Sequence, residues 1–391
     1  MKKILKKFAL YLIITALLVG FTLTASSSKT SAVDTLNAPD VTDNCTSAIL
    51  MEAATGSVLY EHNADTPLPP ASVTKVMTLL LVMEAIDGGK INYSDMVSAS
   101  AHACSMGGSQ IYLKEGELMS VEELLKSVVI ASANDAAVAL AEYVAGSEEA
   151  FVSLMNEKAK KLGMINTNFE NTNGLDDTAT AHYTSARDIA IMSRELIKHK
   201  KILEYSSIWM DTIRDGAFGL TNTNRLVRFY KGANGLKTGS TSKAGFCITA
   251  TAERDGMTLI CVIMNAPTRD IRNNSATKLL DFGFSNYCIY KAEGNKIENI
   301  PIYGSSVQKI TGIYNDFSAI TDKSQKNSIM SEIILKENLC APIKKSEKIG
   351  EIIYRSNGVE IGKTDILCDT TAEKITLGQV FVKIIKEMSL K

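Results

Sequence analysis

Residues 70–89, PASVTKVMTLLLVMEAIDGG, decide the fold prediction because a polar start precedes a long apolar run. Pro70 disfavours a helix that continues from upstream, and the apolar run predicts a buried helix that ends near Gly88. Ser72 and Lys75 stand three residues apart at its start, so a helical backbone places both side chains on one face. The stretch therefore predicts a core helix that carries a polar pair at its N-terminal end.

The residues around this helix predict a sheet. Residues 46–60 indicate a hairpin with a turn at Thr55-Gly56, and residues 244–265 indicate a second hairpin around Asp255-Gly256. The region of about 36–290 is therefore predicted to be α/β (α+β), with helices among antiparallel strands. Further helices are predicted at 120–131, 135–162, 185–198 and 270–286. Ser120 and Glu123 predict a capping box at the start of the first of these.

After about residue 295 the pattern changes. Short apolar runs alternate with turns over 295–376, which predicts a small all-β domain. The last segment, 377–391, places apolar residues on one face of a helix. This face consists of Val380, Phe381, Ile384, Ile385 and Met388. Two interpretations stay open for it: a helix packed on the β domain, or an amphipathic helix at a membrane surface.

The first 32 residues predict a signal peptide and export. Lysines within residues 2–7 precede an apolar run at 8–23, and small residues follow, with candidate cleavage after Ala25 or Ala32. An uncleaved membrane anchor is the alternative. The first cysteine, Cys45, is too distant for a lipoprotein anchor. Either way, the rest of the chain is expected to act outside the cytoplasm.

Composition excludes several classes of function. The chain has 391 residues, with 42 Lys plus Arg against 43 Asp plus Glu, which gives no reason to expect a nucleic-acid partner. The seven cysteines contain no Cys-x-x-Cys pair, and Cys247 and Cys261 lie in strand-like runs that predict burial. The four histidines lack the HExxH spacing, so a zinc hydrolase is disfavoured and no metal site is predicted.

The pair at the helix start is a candidate nucleophile and base. A serine hydroxyl becomes a nucleophile when a base takes its proton, and a neutral lysine can do so. A helix N-terminus and a second cation both disfavour the ammonium form. The same spacing occurs at Ser26, Ser240, Ser275 and Ser306, where polar surface is predicted. Ser72 differs from them because its surroundings are apolar.

Two further motifs follow along the chain. Ser132-Ala133-Asn134 comes at the end of the 120–131 pattern, where a loop or helix cap is the ordinary interpretation. Lys237-Thr238-Gly239 precedes the apolar run GFCITATA, where a turn leading into a strand is the ordinary interpretation. The order Ser-x-x-Lys, Ser-x-Asn, Lys-Thr-Gly resembles the active-site serine penicillin-recognising enzymes.

Surrounding strings narrow the resemblance to the D-alanyl-D-alanine carboxypeptidases, the low-molecular-weight penicillin-binding proteins. Those strings are PPASVTKVMT, GGSQIYLKEGE, ASANDAAVALAE, NTNGLDDTATAHYTSARDIA and GANGLKTGSTSKAGFC. The resemblance covers about residues 45–390. It implies a transpeptidase/β-lactamase-like domain followed by the β domain. An ExxLN-type loop, which deacylates class A β-lactamases, is absent from the sequence.

The resemblance also implies roles for residues at the reacting bond. Ser72 would be the acylated nucleophile, and Lys75 would take its proton. Ser132 would relay a proton toward the leaving D-alanine, and Asn134 would bind the substrate amide. The backbone N–H groups of Ser72 and Ser240 would form the oxyanion hole.

Other residues would hold the substrate's end. Lys237 would supply positive charge, Thr238 would bind the terminal carboxylate, and Gly239 would leave room for the substrate backbone. Arg269 is a further candidate for the carboxylate; a surface salt bridge at a helix start is its alternative.

The function implied is removal of the terminal D-alanine from peptidoglycan pentapeptide stems, with no metal or organic cofactor. β-Lactams would acylate the same serine. The alternatives are a β-lactamase, or a penicillin-binding cell-wall protein without hydrolytic activity. The expected location is the outer face of the cytoplasmic membrane, with peripheral membrane contact.

Overall fold

The computed structural model describes residues 38–176 and 179–388. The predicted signal peptide, residues 1–32, lies outside these ranges. The helices are α1 (Lys75–Asp87), α2 (Ala101–Cys104), α3 (Val121–Lys126), α4 (Asn134–Ala145), α5 (Glu148–Lys161), α6 (Ala186–Leu196), α7 (Lys200–Ser206), α8 (Leu226–Phe229), α9 (Arg269–Asn286) and α10 (Leu377–Met388).

The strands alternate with these helices until residue 286 and then follow one another. They are β1 (Ser47–Glu52), β2 (Val58–His62), β3 (Met96–Ser98), β4 (Leu118–Ser120), β5 (Met210–Ile213), β6 (Phe218–Thr221), β7 (Ala233–Thr241), β8 (Gly245–Arg254), β9 (Met257–Ala266), β10 (Tyr287–Ala292), β11 (Asn295–Pro301), β12 (Lys309–Tyr314), β13 (Phe317–Asp322), β14 (Ile329–Leu335), β15 (Lys348–Ser356) and β16 (Val359–Cys368).

A five-stranded antiparallel sheet in the order β2-β1-β9-β8-β7 forms the centre of the first region. Both predicted hairpins are confirmed, because β1 pairs with β2 and β8 pairs with β9. Gly56 and Gly256 at their turns have positive φ angles of 75° and 73°, which glycine adopts without a steric cost. Among the described strands, β7 pairs with β8 alone and so forms one edge of the sheet.

The central sheet separates two apolar cores. Ile49 and Met51 of β1 pack in the cluster that contains α1, whereas Ala48 and Leu50 pack in the cluster that contains α9. This alternation follows from the two-residue period of a strand. All of β1 is buried, as expected for a strand covered on both faces. The α/β (α+β) prediction is therefore confirmed.

Helix α1 begins slightly later than the sequence suggests. A single 3₁₀ turn, Ala71–Thr74, precedes it, and Gly88 follows its last residue. Its side chains are buried on nearly every side, which explains the apolar run in place of an amphipathic pattern. The polar pair thus lies at the entry to a core helix.

The helix predicted over 135–162 is in fact two helices, α4 and α5. Gly146 has a φ of 88° and ends α4, and the Ser147 side chain then accepts a hydrogen bond from the Ala150 N–H to begin α5. The predicted capping box at Ser120 is confirmed, with reciprocal contacts to Glu123.

The chain after α9 folds as β-structure. β10 pairs with β13, and a five-stranded sheet has the order β11-β12-β16-β15-β14. A third apolar cluster, rich in isoleucine, lies within this part. Strand pairing joins residues on both sides of position 295, and the exact domain limits stay predictions.

Helix α10 presents apolar side chains to solvent. Phe381 is 65% exposed, and Val382, Ile384, Ile385 and Met388 are also exposed. This disagrees with a helix packed on the β domain. Among the described residues, none of the helices has the length and apolar character needed to cross a membrane.

Candidate active site

Ser72 and Lys75 meet at the start of α1. Ala71 has a φ of 48°, an unusual value for a residue with a Cβ, and the 3₁₀ turn after it presents Ser72 beside Lys75. The Lys75 Nζ lies 2.9 Å from the Ser72 Oγ. Lys75 is fully buried, and Ser72 is partly accessible. The pair is therefore in contact at a place where a small molecule can reach the hydroxyl.

The partners of Lys75 are neutral. Its Nζ donates to the Asn134 Oδ1 at 2.5 Å and to the backbone carbonyl of Asn173 at 2.9 Å. Burial, and next the charge of Lys237, lower the pKa of Lys75 well below its usual value, while Asp135 opposes the shift. A neutral amine has a lone pair, so the same contact can accept the Ser72 proton.

Ser132 and Lys237 form the second contact pair. Ser132 has a φ of 65° and follows a short π-helical turn, Ser127–Ala131, which ends the pattern that starts at α3. The Lys237 Nζ donates to the Ser132 Oγ at 2.7 Å and to the Thr238 carbonyl at 2.9 Å. Burial, followed by the charge of Arg272, lowers the pKa of Lys237 to about 7.

Lys237, Thr238 and Gly239 lie within β7, so the interpretation as a turn before a strand was wrong. Gly239 approaches the nucleophile closely: a Cβ there would lie 2.6 Å from the Ser72 backbone nitrogen. The room that glycine leaves is thus needed by the turn at Ser72. The Thr238 hydroxyl donates to the Thr223 Oγ1 at 2.8 Å. Ser240 follows Gly239 and is exposed.

Asn134 is buried between Lys75 and the loop that contains Gly107. Its Oδ1 accepts from Lys75, and its Nδ2 donates to the Gly107 carbonyl at 2.6 Å. Both ends of this amide therefore have protein partners. The contacts make Asn134 an orienting group for Lys75, and the predicted contact with a substrate amide would need an exchange of partners.

Family comparison identifies this arrangement. The chain matches the family model described as D-alanyl-D-alanine carboxypeptidase over residues 32–268, and the model of the penicillin-binding protein 5 C-terminal domain over 284–374. The chain belongs to the D-alanyl-D-alanine carboxypeptidase family. The predicted class of serine-type carboxypeptidase is confirmed by these matches.

Individual relatives cover most of this carboxypeptidase. The D-alanyl-D-alanine carboxypeptidase DacF of Bacillus subtilis is 41% identical over 371 residues, which span 93% of this chain and 95% of the relative. Penicillin-binding protein 5 from Haemophilus influenzae has a similar structure, with a TM-score of 0.76 and 30% identity, and the match covers 85% of this chain and 98% of that one.

A third relative has been solved with a β-lactam. Penicillin-binding protein D2 from Listeria monocytogenes, in its ampicillin-bound form, matches with a TM-score of 0.58 and 34% identity. The match covers 63% of this chain and all of that chain.

Arg272, whose charge contributes to the lowered pKa of Lys237, was not among the predicted site residues. The predicted candidate, Arg269, is exposed in the first turn of α9. Arg272 lies three residues further on, is buried, and its Nη1 donates to the Cys247 carbonyl at 3.4 Å. Cys247 pairs with Gly239 across β7 and β8. The sequence contains no local signal that separates the two arginines, because the packing of α9 on β8 decides which one is buried.

The loop that contains Asn173 was also missed. Glu148 accepts hydrogen bonds from the Thr172 N–H at 3.0 Å and the Thr172 hydroxyl at 2.7 Å, and the Thr78 hydroxyl donates to the Thr172 carbonyl. These contacts fix the carbonyl of Asn173 beside Lys75. The polar string NTNG was the only sequence signal for this loop.

His182 supports the turn before the nucleophile. Its Nδ1 accepts from the Glu170 N–H at 3.0 Å, so the hydrogen is on Nε2, which lies 2.7 Å from the Thr74 Oγ1. Thr74 in turn donates to the Ala71 carbonyl at 2.8 Å. Burial lowers the pKa of His182 to about 4, so the ring is neutral at ordinary pH.

The described residues contain no group of three or more His, Cys, Asp or Glu that could hold a metal ion. The groups assembled at Ser72 are hydroxyls, amines and amides. Such groups can carry out nucleophilic attack and proton transfer.

Proposed function

We propose that this carboxypeptidase removes the terminal D-alanine from peptidoglycan pentapeptide stems through an acyl-enzyme at Ser72. One observation carries the assignment of the nucleophile. Ser72 is the accessible hydroxyl in contact with Lys75, a buried amine whose hydrogen-bond partners are all neutral. A buried lysine without a carboxylate partner favours the neutral form, which is the form that a general base needs.

Acylation begins as Lys75 takes the Ser72 proton. The Ser72 oxygen attacks the carbonyl carbon of the penultimate D-alanine, and negative charge develops on the carbonyl oxygen. The backbone N–H groups of Ser72 and Ser240 donate to that oxygen. The close approach of Gly239 to Ser72 supports this pairing of donors. The peptide C–N bond then breaks, and the ester to Ser72 remains.

The leaving D-alanine needs a proton on its amine. Ser132 supplies it from its hydroxyl and regains a proton from Lys237, whose Nζ donates to the same oxygen. Burial and the charge of Arg272 lower the pKa of Lys237 to about 7, so Lys237 gives up this proton more readily than an exposed lysine would. Lys75 then releases to solvent the proton that it took from Ser72, and Lys237 takes one up, which restores a neutral Lys75. Neutral Lys75 takes a proton from water as the water oxygen attacks the ester carbon, and it gives that proton to the Ser72 oxygen as the ester C–O bond breaks.

The substrate's terminal carboxylate binds at β7. We assign Lys237 and Arg272 the positive field at this point and Thr238 a direct hydrogen bond. Arg272 of α9 is buried, and its guanidinium donates to the carbonyl of Cys247, the β8 residue that pairs with Gly239. This placement supports its role over that of the exposed Arg269. A bound carboxylate also raises the pKa of Lys237, because an anion favours its charged form.

β-Lactams acylate Ser72 by the same steps. Their amide carbonyl occupies the position of the scissile carbonyl, and the ampicillin-bound Listeria relative supports this use of the site. The sequence has no ExxLN-type loop, so we assign slow hydrolysis of the β-lactam ester.

The assay that tests the proposed function compares release of D-alanine from an acyl-D-Ala-D-Ala peptide with turnover of a chromogenic cephalosporin. Rapid cephalosporin turnover without D-alanine release would instead favour a β-lactamase.

We also propose that α10 holds the exported protein at the outer face of the cytoplasmic membrane. Phe381, Ile384, Ile385 and Met388 are exposed in the structure. Exposed apolar side chains on one helix are suited to the boundary between head groups and acyl chains. Peptidoglycan precursors are assembled close to the membrane, so this placement would bring the site near its substrate.

A further inference from the structure

Tyr112 has an unusual backbone and an exposed ring. Its φ is 58°, in the left-handed region where an aromatic residue is a genuine outlier, and its side chain is 69% exposed. Its neighbours Ile111 and Leu113 are both buried. The chain thus holds a costly conformation in order to direct one aromatic ring into solvent. Backbone strain of this kind is typical of ligand-binding sites.

A buried carboxylate maintains this conformation. Asp135 is 1% exposed, and its Oδ2 accepts from the N–H groups of Ile111 and Leu113, each at 3.1 Å. On the other side, the Arg214 Nη1 donates to the Ile111 carbonyl at 2.8 Å. Arg214 is itself paired with Glu117 at 2.7 Å. Tyr112 is therefore fixed by polar contacts on both flanks.

The loop that carries Tyr112 belongs to the wall of the active site. Its first residues accept hydrogen bonds from Asn134: the side chain donates to Gly107, and the backbone N–H donates to the Ser109 carbonyl at 2.7 Å. Asp135, which fixes Tyr112, is the next residue after Asn134. The ring is thus held by the same segment that orients Lys75.

The ring of Tyr112 also contacts the opposite wall. It meets Phe218 edge-on, with ring centroids 6.4 Å apart, and Phe218 begins β6. Two residues after β6, Thr223 accepts the hydrogen bond from Thr238 of β7. Tyr112 and Phe218 therefore form an aromatic pair that joins the Asn134 side to the β7 side.

We propose that Tyr112 is a specificity-determining residue, a platform for the aliphatic side chains of the peptide residues that precede the scissile D-Ala-D-Ala bond. The proposal rests on the proposed function. An exposed ring gains free energy when methyl and methylene groups cover it. A rigid platform also orders the peptide at little entropic cost, which explains why the strained loop is retained.

The test compares two substrates in four proteins: wild type, Tyr112→Gly, Tyr112→Phe and Phe229→Ala. Phe229 is 70% exposed and serves as the matched control. The substrates are acetyl-D-Ala-D-Ala and an N-acetylated pentapeptide with lysine before D-Ala-D-Ala. We expect Tyr112→Gly to raise KM for the pentapeptide about tenfold, with kcat/KM for the short substrate nearly unchanged. Tyr112→Phe and Phe229→Ala should match wild type.

The difference between the two substrates is the readout that a purely structural role would not give. Thermal unfolding checks the fold of Tyr112→Gly, in which relief of the positive φ opposes the loss of the Phe218 contact and the greater freedom of glycine in the unfolded chain. Equal losses on both substrates or an unchanged pentapeptide KM would each overturn the platform. A wild-type protein that forms no benzylpenicillin adduct at Ser72 would overturn the proposed function, and with it the substrate assigned to Tyr112.

Discussion

The surroundings of Lys75 and the surface of α10 depart from ordinary protein architecture in opposite directions. Lys75 is a cationic residue type placed in the core, whereas Phe381, Ile384 and Ile385 are apolar residues placed in solvent. Each placement costs folding free energy. Burial of Lys75 lowers the pKa of its amine, which favours the neutral form. The exposed side chains of α10 are available to contact a lipid membrane. We infer a function for each region from its local departure from stability, general base for Lys75 and membrane contact for α10.

The largest expected effect is at the nucleophile. Ser72→Ala should abolish both D-alanine release and covalent labelling by penicillin, because no other hydroxyl contacts Lys75 within the described chain. Mass spectrometry of the intact protein measures the adduct, and circular dichroism checks the fold. A penicilloyl adduct that persists in the variant would show that the wrong serine has been assigned.

The base should be nearly as sensitive. Lys75→Arg places a permanent cation of similar reach beside Ser72. Arginine cannot give up its proton, so acylation by penicillin should fall about 10³-fold. Stopped-flow or time-resolved mass spectrometry gives the acylation rate constant. Near-normal acylation in this variant would mean that another group takes the Ser72 proton. The burial of Lys75 would then have no catalytic explanation to set beside the exposed face of α10.

A smaller effect is expected at His182. His182→Gln can still donate to Thr74, whereas His182→Asn keeps only the acceptor for the Glu170 N–H. Because Thr74 fixes the Ala71 carbonyl before Ser72, we expect acylation to fall about tenfold in the Asn variant and much less in the Gln variant. Equal thermal unfolding temperatures serve as the control. Faster acylation in the Asn variant than in the Gln variant would show that His182 acts through its contact with the Glu170 N–H and not through Thr74.

The smallest effect on chemistry is expected at α10. Protein of residues 33–375 should release D-alanine from a soluble peptide at the rate of protein 33–391, but it should no longer bind vesicles that contain anionic lipid. The lost burial of several apolar side chains accounts for the difference, at up to about 1.5–3 kcal/mol each. Co-sedimentation measures binding. Equal partition of both proteins, or unfolding of the shorter one, would favour a structural role for the helix.

Local sequence patterns predicted much of this fold. The hairpins at Gly56 and Gly256 and the capping box at Ser120 depend on contacts within a few residues, so a sequence pattern contains them. The break at Gly146 is equally local, and a continuous helix was predicted there only because both halves share a helical period.

The catalytic side chains of the active site were predictable from the sequence, but some of the groups that surround them were not. The resemblance supplied Ser72, Lys75, Ser132 and Lys237, and the structure brings these together in two contact pairs. It could not supply Arg272, since the choice between two arginines on one helix depends on which face of α9 meets β8. The Asn173 carbonyl was missed for a related reason: a backbone acceptor has no residue type to mark it.

The most direct test is the protonation state of Lys75. Lysine labelled with ¹³C at Cε allows NMR titration of each amine, with Lys75→Arg and Lys237→Arg variants to assign the two buried signals. We expect Lys75 to lose its proton at a clearly lower pH than the exposed lysines, because burial and the charge of Lys237 lower its pKa. A Lys75 signal that titrates with the exposed lysines, near the ordinary value of 10.5, would contradict its role as the base.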